Sequence, residues 1–171
     1  MRFPPRPALL VLTLLSVILL SGPGAALAQE AVAPFTLEQA VAGRRAFLEN
    51  CTSCHGATMN GGGGGGAPAL TGITFQEDWR DKSAGQLFRF AYGNMPLNFA
   101  GMLPRETYVN LVSFILAVNG ARPGPSAFTG DSDVRIGAIA DGRTVAAVLN
   151  GEGAYAFKAS FAAKAPAKKR P

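Results

Sequence analysis

Both cysteines and the only histidine of this 171-residue chain fall within one pentapeptide, Cys51-Thr52-Ser53-Cys54-His55. Whatever fold the chain adopts must place two thiols and an imidazole on one short stretch. The C-x-x-C-H spacing is the attachment signature of c-type haem. Two vinyl groups of haem add the two thiols as thioethers, and the adjoining imidazole is carried under the porphyrin as an iron ligand. Other chemistries fit less well. A tetrahedral zinc site wants four ligands, and the pentapeptide is one short unless a carboxylate joins. A thioredoxin-type pair wants a βαβ setting, which is not visible here. A structural disulfide between Cys51 and Cys54 is the plain alternative in an exported chain, and the histidine that follows weighs against it.

Export is read from the N-terminus. Arg2 and Arg6 precede a nearly unbroken apolar run from Ala8 to Leu20, too short to span a bilayer comfortably. Small residues follow and end in Ala26-Leu27-Ala28. The pattern predicts a signal peptide over residues 1–28, cleavage after Ala28, a mature chain from Gln29 and a periplasmic location. An uncleaved N-terminus acting as a membrane anchor is the alternative.

The formal charge of +5 hides an uneven distribution. Residues 29–120 hold six basic and seven acidic side chains, whereas residues 121–171 hold eight basic and four acidic. A basic tail on a near-neutral domain suggests contact with an acidic protein or a membrane surface. A basic surplus confined to the tail of an exported chain does not suit nucleic acid.

Three stretches read as helices. From Thr36 to Asn50, Thr36 and Gln39 have capping-box spacing, and Leu37, Ala40, Val41, Phe47 and Cys51 form an approximate stripe. Gly43 interrupts that helix at about 1 kcal/mol relative to Ala and would let another helix cross closely. From Ser83 to Tyr92, Ser83 and Gln86 repeat the capping-box spacing, Leu87, Phe90 and Ala91 form the apolar face, and Gly93 is the expected end. Pro104 opens the last helix, whose Tyr108, Leu111, Val112, Ile115 and Leu116 form an amphipathic stripe ending at Gly120.

The loops carry the remaining candidates. Six consecutive glycines, Gly61 to Gly66, lack the Lys and Ser/Thr of a phosphate loop, and they read as a floppy surface insertion. The imidazole must donate its second N–H to something; a backbone carbonyl past this loop is a natural acceptor, and Pro68 is the candidate. Leu70 would pack on the haem face. Met95-Pro96 lies forty positions beyond His55, far enough for the chain to reach the opposite haem face. A thioether there would be a soft sixth ligand that raises the reduction potential. Met59 and Met102 are its competitors: Met59 is close to the attachment site, and Met102 reads as a core or surface methionine.

Together these residues resemble a class I, mitochondrial-type cytochrome c over about residues 36–120. The carriers are Gly43 with Phe47, Cys51 to Gly56, Pro68 with Leu70, Gly93-Asn94-Met95-Pro96, and Tyr108 to Leu116. The resemblance implies an all-α fold of three to four helices around one haem, with the first and last helices crossing near Gly43. It also implies His55 and Met95 as axial ligands of the iron. A narrower similarity runs through Leu70-Thr71-Gly72, Trp79, Ala84-Gly85-Gln86-Leu87-Phe88, Met95-Pro96 and Asn119-Gly120. It is to small monohaem cytochromes and cytochrome domains that accept electrons from pyrroloquinoline-quinone (PQQ) dehydrogenases. In that group Trp79 or Arg80 would hydrogen-bond a haem propionate, although Trp79 also suits simple core packing. The glycine run and the long C-terminal extension depart from the pattern.

Residues 121–171 fall outside it. Arg122 to Gly130 reads as a linker. Asp141-Gly142 between apolar runs marks a short β-hairpin over Val134 to Leu149, and residues 162–171 read as disordered. The expected function is that of a monomeric periplasmic electron carrier, not an enzyme. Its partners would be a quinoprotein dehydrogenase as donor and an oxidase or another cytochrome as acceptor. The alternatives are a fixed cytochrome subunit of a dehydrogenase and a five-coordinate haem sensor or peroxidase-like protein.

Overall fold

A computed structural model of the protein describes residues 32–64 and 66–152. The expected signal peptide and the expected disordered end at residues 162–171 lie outside the described residues. Seven helices are described: α1 (Leu37–Asn50), α2 (Thr52–His55), α3 (Gly72–Trp79), α4 (Ala84–Asn94), α5 (Arg105–Val118), α6 (Ile136–Ile139) and α7 (Ala146–Asn150). There is no strand among the described residues, and Ser83 and Arg135 form one isolated antiparallel bridge. The architecture is all-α, with the arrangement expected of a cytochrome c fold.

Helix α1 begins where its cap dictates. The Gln39 N–H donates to Thr36 Oγ1 at 3.4 Å, and the Thr36 N–H donates back to Gln39 Oε1 at 3.1 Å. The cap satisfies two otherwise orphaned donors. The helix buries Ala40, Gly43, Ala46 and Phe47 against α5 and leaves Val41 exposed. That is a narrower face than the apolar stripe suggested, because the crossing centres on the smallest residue. A Cβ at Gly43 would fall on the Asn110 carbonyl and 2.8 Å from Phe114 Cβ. Phe47 and Phe114 meet just beside the crossing, with ring centroids 5.7 Å apart.

Helix α4 carries the second capping box, between Ser83 and Gln86. It continues past Gly93 to Asn94 and ends at Met95, whose N–H still donates to the Ala91 carbonyl at 2.9 Å. The helix therefore stops two residues later than the expected end at Gly93. Gly93 is accepted inside the last turn at the ordinary cost of about 1 kcal/mol relative to Ala.

The hairpin expected over Val134 to Leu149 does not form; α6 and α7 occupy its place. The turn itself is there. Gly142 has φ +79°, and Asp141 Oδ1 accepts the Arg143 N–H at 3.1 Å. The flanking segments bond to the helices instead of to each other. The N–H groups of Ala84 and Gly85 donate to the carbonyls of Val134 and Ser132 at 3.0 Å each, which covers the N-terminus of α4. The N–H groups of Ile136 and Gly137 donate to Lys82 and Arg80 at 2.9 and 2.8 Å, and Val145 N–H donates to Val118 at 2.8 Å. A lone two-stranded ribbon is marginal in water, whereas these bonds satisfy backbone groups of both partners.

Nor does the stretch from Arg122 to Gly130 behave as a free linker. Ala33 N–H donates to the Arg122 carbonyl at 3.0 Å, and Gly124 N–H to Phe35 at 2.7 Å. The Gln39 amide bonds both the N–H and the carbonyl of Phe128 at 2.8 Å. At the far end, the Arg44 guanidinium donates to the carbonyls of Leu149 and Asn150, closing the C-terminus of α7. Among the described residues no helix is long and apolar enough to cross a membrane.

Candidate haem site

Helix α1 ends at Cys51, whose N–H donates to the Phe47 carbonyl at 2.9 Å. The first thiol is thus fixed to the packed α1–α5 pair. One short turn, α2, follows and brings Cys54 and His55 round. Both cysteines are free thiols, Cys51 half-buried and Cys54 exposed. Burial, and secondarily the neighbouring Cys54, push the Cys51 thiol up to about 11. The disulfide alternative is not what the structure contains.

His55 is buried. Its Nδ1 lies 2.9 Å from the Pro68 carbonyl oxygen. A carbonyl can only accept, so Nδ1–H is the donor, and Nε2 is the ring nitrogen left for a metal. The donor set therefore fits haem c: two unpaired thiols spaced i, i+3 and an imidazole whose Nδ1 is engaged by a backbone carbonyl.

Leu70 is half-buried and held on both sides. Its N–H donates to the Met59 carbonyl at 2.7 Å, and its carbonyl accepts Asn119 Nδ2 at 2.8 Å. Met95 is half-buried at the C-terminal cap of α4, and its carbonyl accepts the Tyr108 hydroxyl at 2.6 Å. Its two competitors sit differently: Met59 is fully buried in the core, and Met102 is 63% exposed. Trp79 packs edge-on against Phe90 at 5.3 Å, with Lys82 Nζ 4.4 Å above its ring. Arg80 is exposed, 4.0 Å from Asp81, and its carbonyl accepts the Gly137 N–H. The contacts of these two residues run to α4, to the α3–α4 connection and to the C-terminal extension.

Three features of the site escaped sequence reasoning. Tyr108 read only as part of an apolar stripe, but a buried tyrosine needs a partner for its hydroxyl, and Met95 provides it. Asn119 is 0% exposed; besides Leu70 its amide bonds the Ile115 carbonyl and the Gly72 N–H. A polar side chain directly after a long apolar run was the available sign. The glycine run is the third. It is no floppy insertion: Gly61, Gly63 and Gly64 donate to the carbonyls of His55, Cys54 and Ser53.

Residues 38–115 match the family model described as cytochrome c oxidase, cbb3-type, subunit III. Comparison with curated proteins and with solved structures finds no match. The matched segment runs from within α1 to within α5, with the C-x-x-C-H turn inside it, and it indicates a c-type cytochrome. The protein thus carries covalently bound haem c with its iron and serves in electron transfer with redox protein partners.

Proposed function

We propose that the protein is an exported monohaem electron carrier in which His55 and Met95 hold the iron from opposite sides. The observation that carries this reading is the way both residues are fixed. His55 has Nδ1 committed to Pro68, and Met95 is anchored by its own carbonyl to the buried Tyr108. Bound haem supplies a one-electron couple. The chain supplies the rest: Cys51 and Cys54 fix the group covalently, and His55 and Met95 set its potential. Pro68 orients the imidazole, and Leu70 offers apolar contact. Trp79 or Arg80 serves a propionate.

With His55 and Met95 holding the iron, no substrate site would be needed, and the bound haem would supply a one-electron couple without bond-making. From Met95 to Pro104 the chain has no charged residue, and it presents Leu97, Phe99 and Met102 to solvent. A surface of that kind suits docking of a redox partner. The donor in this reading is a quinoprotein dehydrogenase, and the acceptor an oxidase or another cytochrome. The protein is periplasmic after cleavage behind Ala28, and its basic tail contacts an acidic protein or the membrane surface.

The test is spectroscopy of the ferric protein. Met95→Ala should abolish the charge-transfer band of thioether-bound iron, and Met102→Ala should leave it intact. An unchanged band in Met95→Ala rejects the ligand assignment. Mass spectrometry of the exported protein, expected to begin at Gln29, checks the location.

A further inference from the structure

Six glycines, Gly61 to Gly66, stand between His55 and Pro68. Such a run is costly to order, since glycine gives up more backbone freedom than any other residue. Its described part is nonetheless tied down. The N–H groups of Gly61, Gly63 and Gly64 donate to the carbonyls of His55, Cys54 and Ser53 at 3.0, 3.1 and 3.0 Å. Those carbonyls belong to the attachment turn α2, whose C-terminal acceptors have no partner within so short a helix. The Gly62 N–H reaches forward to the Ala67 carbonyl at 3.1 Å, immediately before Pro68.

The approach is closer than a side chain allows. A Cβ at Gly63 would strike the Cys54 carbonyl oxygen and lie 2.7 Å from that of Ser53. A Cβ at Gly61 would lie 2.6 Å from the Ala67 oxygen and 2.8 Å from the Pro68 carbonyl carbon, on a backbone at φ +74°. Gly64 differs. Its φ lies outside the left-handed region, and the nearest atom to its Cβ position is the Ser53 oxygen at an ordinary 3.6 Å.

We propose that the glycine run is a clamp. Gly61 and Gly63 act as positioning residues that lock the attachment turn to the Pro68 segment, holding the Pro68 carbonyl on His55 Nδ1 and thereby tuning the reduction potential. The inference rests on His55 being an iron ligand. The clamp grips both ends of one hydrogen bond: Gly61, Gly63 and Gly64 bond the turn that carries His55, Gly62 bonds Ala67 beside Pro68, and Gly61 lies close against Ala67 and Pro68. A carbonyl acceptor at Nδ1–H makes the imidazole a stronger donor to the metal, which favours the ferric state. Loosening the clamp weakens that acceptor and moves the potential positive.

Gly63→Ala and Gly64→Ala are a matched pair for the holoprotein. Both add one methyl to the same loop, and only the first meets a carbonyl. Gly63→Ala should shift the potential positive and speed solvent exchange of the His55 Nδ1–H by about tenfold, the scale of one lost hydrogen bond. Gly64→Ala should leave both unchanged. Equal shifts in the two variants, or none in either, overturn the clamp. Should Gly63→Ala yield no holoprotein, amide exchange in the wild type decides: slowed exchange at Gly61, Gly63 and Gly64 supports the clamp, and exchange at the rate of a free loop overturns it. The underlying ligand reading fails separately, through a wild-type spectrum without imidazole on the iron.

Discussion

Replacing Tyr108 by phenylalanine removes one hydroxyl and little else. The ring is 1% exposed and meets Tyr92 edge-on at 5.2 Å. Phenylalanine keeps that packing, so no cavity opens. Alanine would instead cost about 3–5 kcal/mol in lost core volume and would obscure the result. What Tyr108→Phe loses is the 2.6 Å bond to the Met95 carbonyl, a net contribution of about 0.5–1.5 kcal/mol. The bond ends on the backbone of Met95 itself, so its loss falls on the segment that carries the thioether. With Met95 as axial ligand, the thioether-off state gains by the same energy, a factor of about two to twelve. Titration of the ferric protein with imidazole reads this directly, because the added ligand must displace the thioether. The apparent affinity should rise by that factor, while a guanidinium titration reports the loss in overall stability. Unchanged imidazole affinity alongside a full drop in stability refutes the reasoning: the hydroxyl would then support the fold and not the ligand.

Two further expectations follow from the packing and the thiols. Gly43→Ala improves helix propensity by about 1 kcal/mol, but its methyl meets the Asn110 carbonyl, which is backbone and cannot swing aside. Overpacking of about 1–3 kcal/mol should win, lowering the denaturant midpoint; a raised midpoint would contradict the crossing geometry. In haem-free protein that keeps its helical circular dichroism, iodoacetamide should label the exposed Cys54 first. With its thiol at about 11, Cys51 at pH 8 is thiolate in about one molecule in a thousand. Its labelling rate should climb about tenfold per pH unit until the pH nears that value, and equal early labelling of both thiols would contradict the burial of Cys51.

The attachment turn was a readily legible part of the chain because its chemistry is scarce: two cysteines and the only histidine share one pentapeptide, and zinc, a redox pair or a disulfide each fit that spacing less well than haem. The capping boxes at Thr36 and Ser83 were legible for a related reason. Each rests on two side chains at fixed spacing, and both boxes form. What periodicity could not supply was the direction of bonds that cross the sequence. Tyr108 to Met95, Asn119 to Leu70 and Gly63 to Cys54 join residues that share no local pattern. The glycine run misled for a specific reason. Glycine signals both a chain free to move and a backbone that must come very close, and composition alone does not separate the two. The hairpin failed because turn chemistry at Asp141-Gly142 says that the chain reverses and not what its flanks pair with.

The C-terminal extension is best understood from the helix it covers. From Tyr108 to Val118 every residue of α5 except Asn110 is buried. A helix apolar on all sides needs cover on more than one face. Helix α1 supplies one face through Gly43 and Phe47, and α4 packs on another. The end of α5 is closed by the extension. Val145 N–H bonds the Val118 carbonyl, Gly142 N–H bonds the Asn119 carbonyl, and α7 buries Val148 nearby. Asn119 thus receives the extension through its carbonyl while its side chain holds Leu70 and Gly72. One buried residue connects the segment beyond α5 to the segment that follows Pro68. The apolar run from Val109 to Val118 already contained this demand: a two-sided amphipathic helix would have left polar residues for water, and this one offers almost none. The extension answers it with short helical turns whose backbone groups bond to α4, α5 and the α3–α4 connection, which is why so little regular structure of its own is enough to keep it in place.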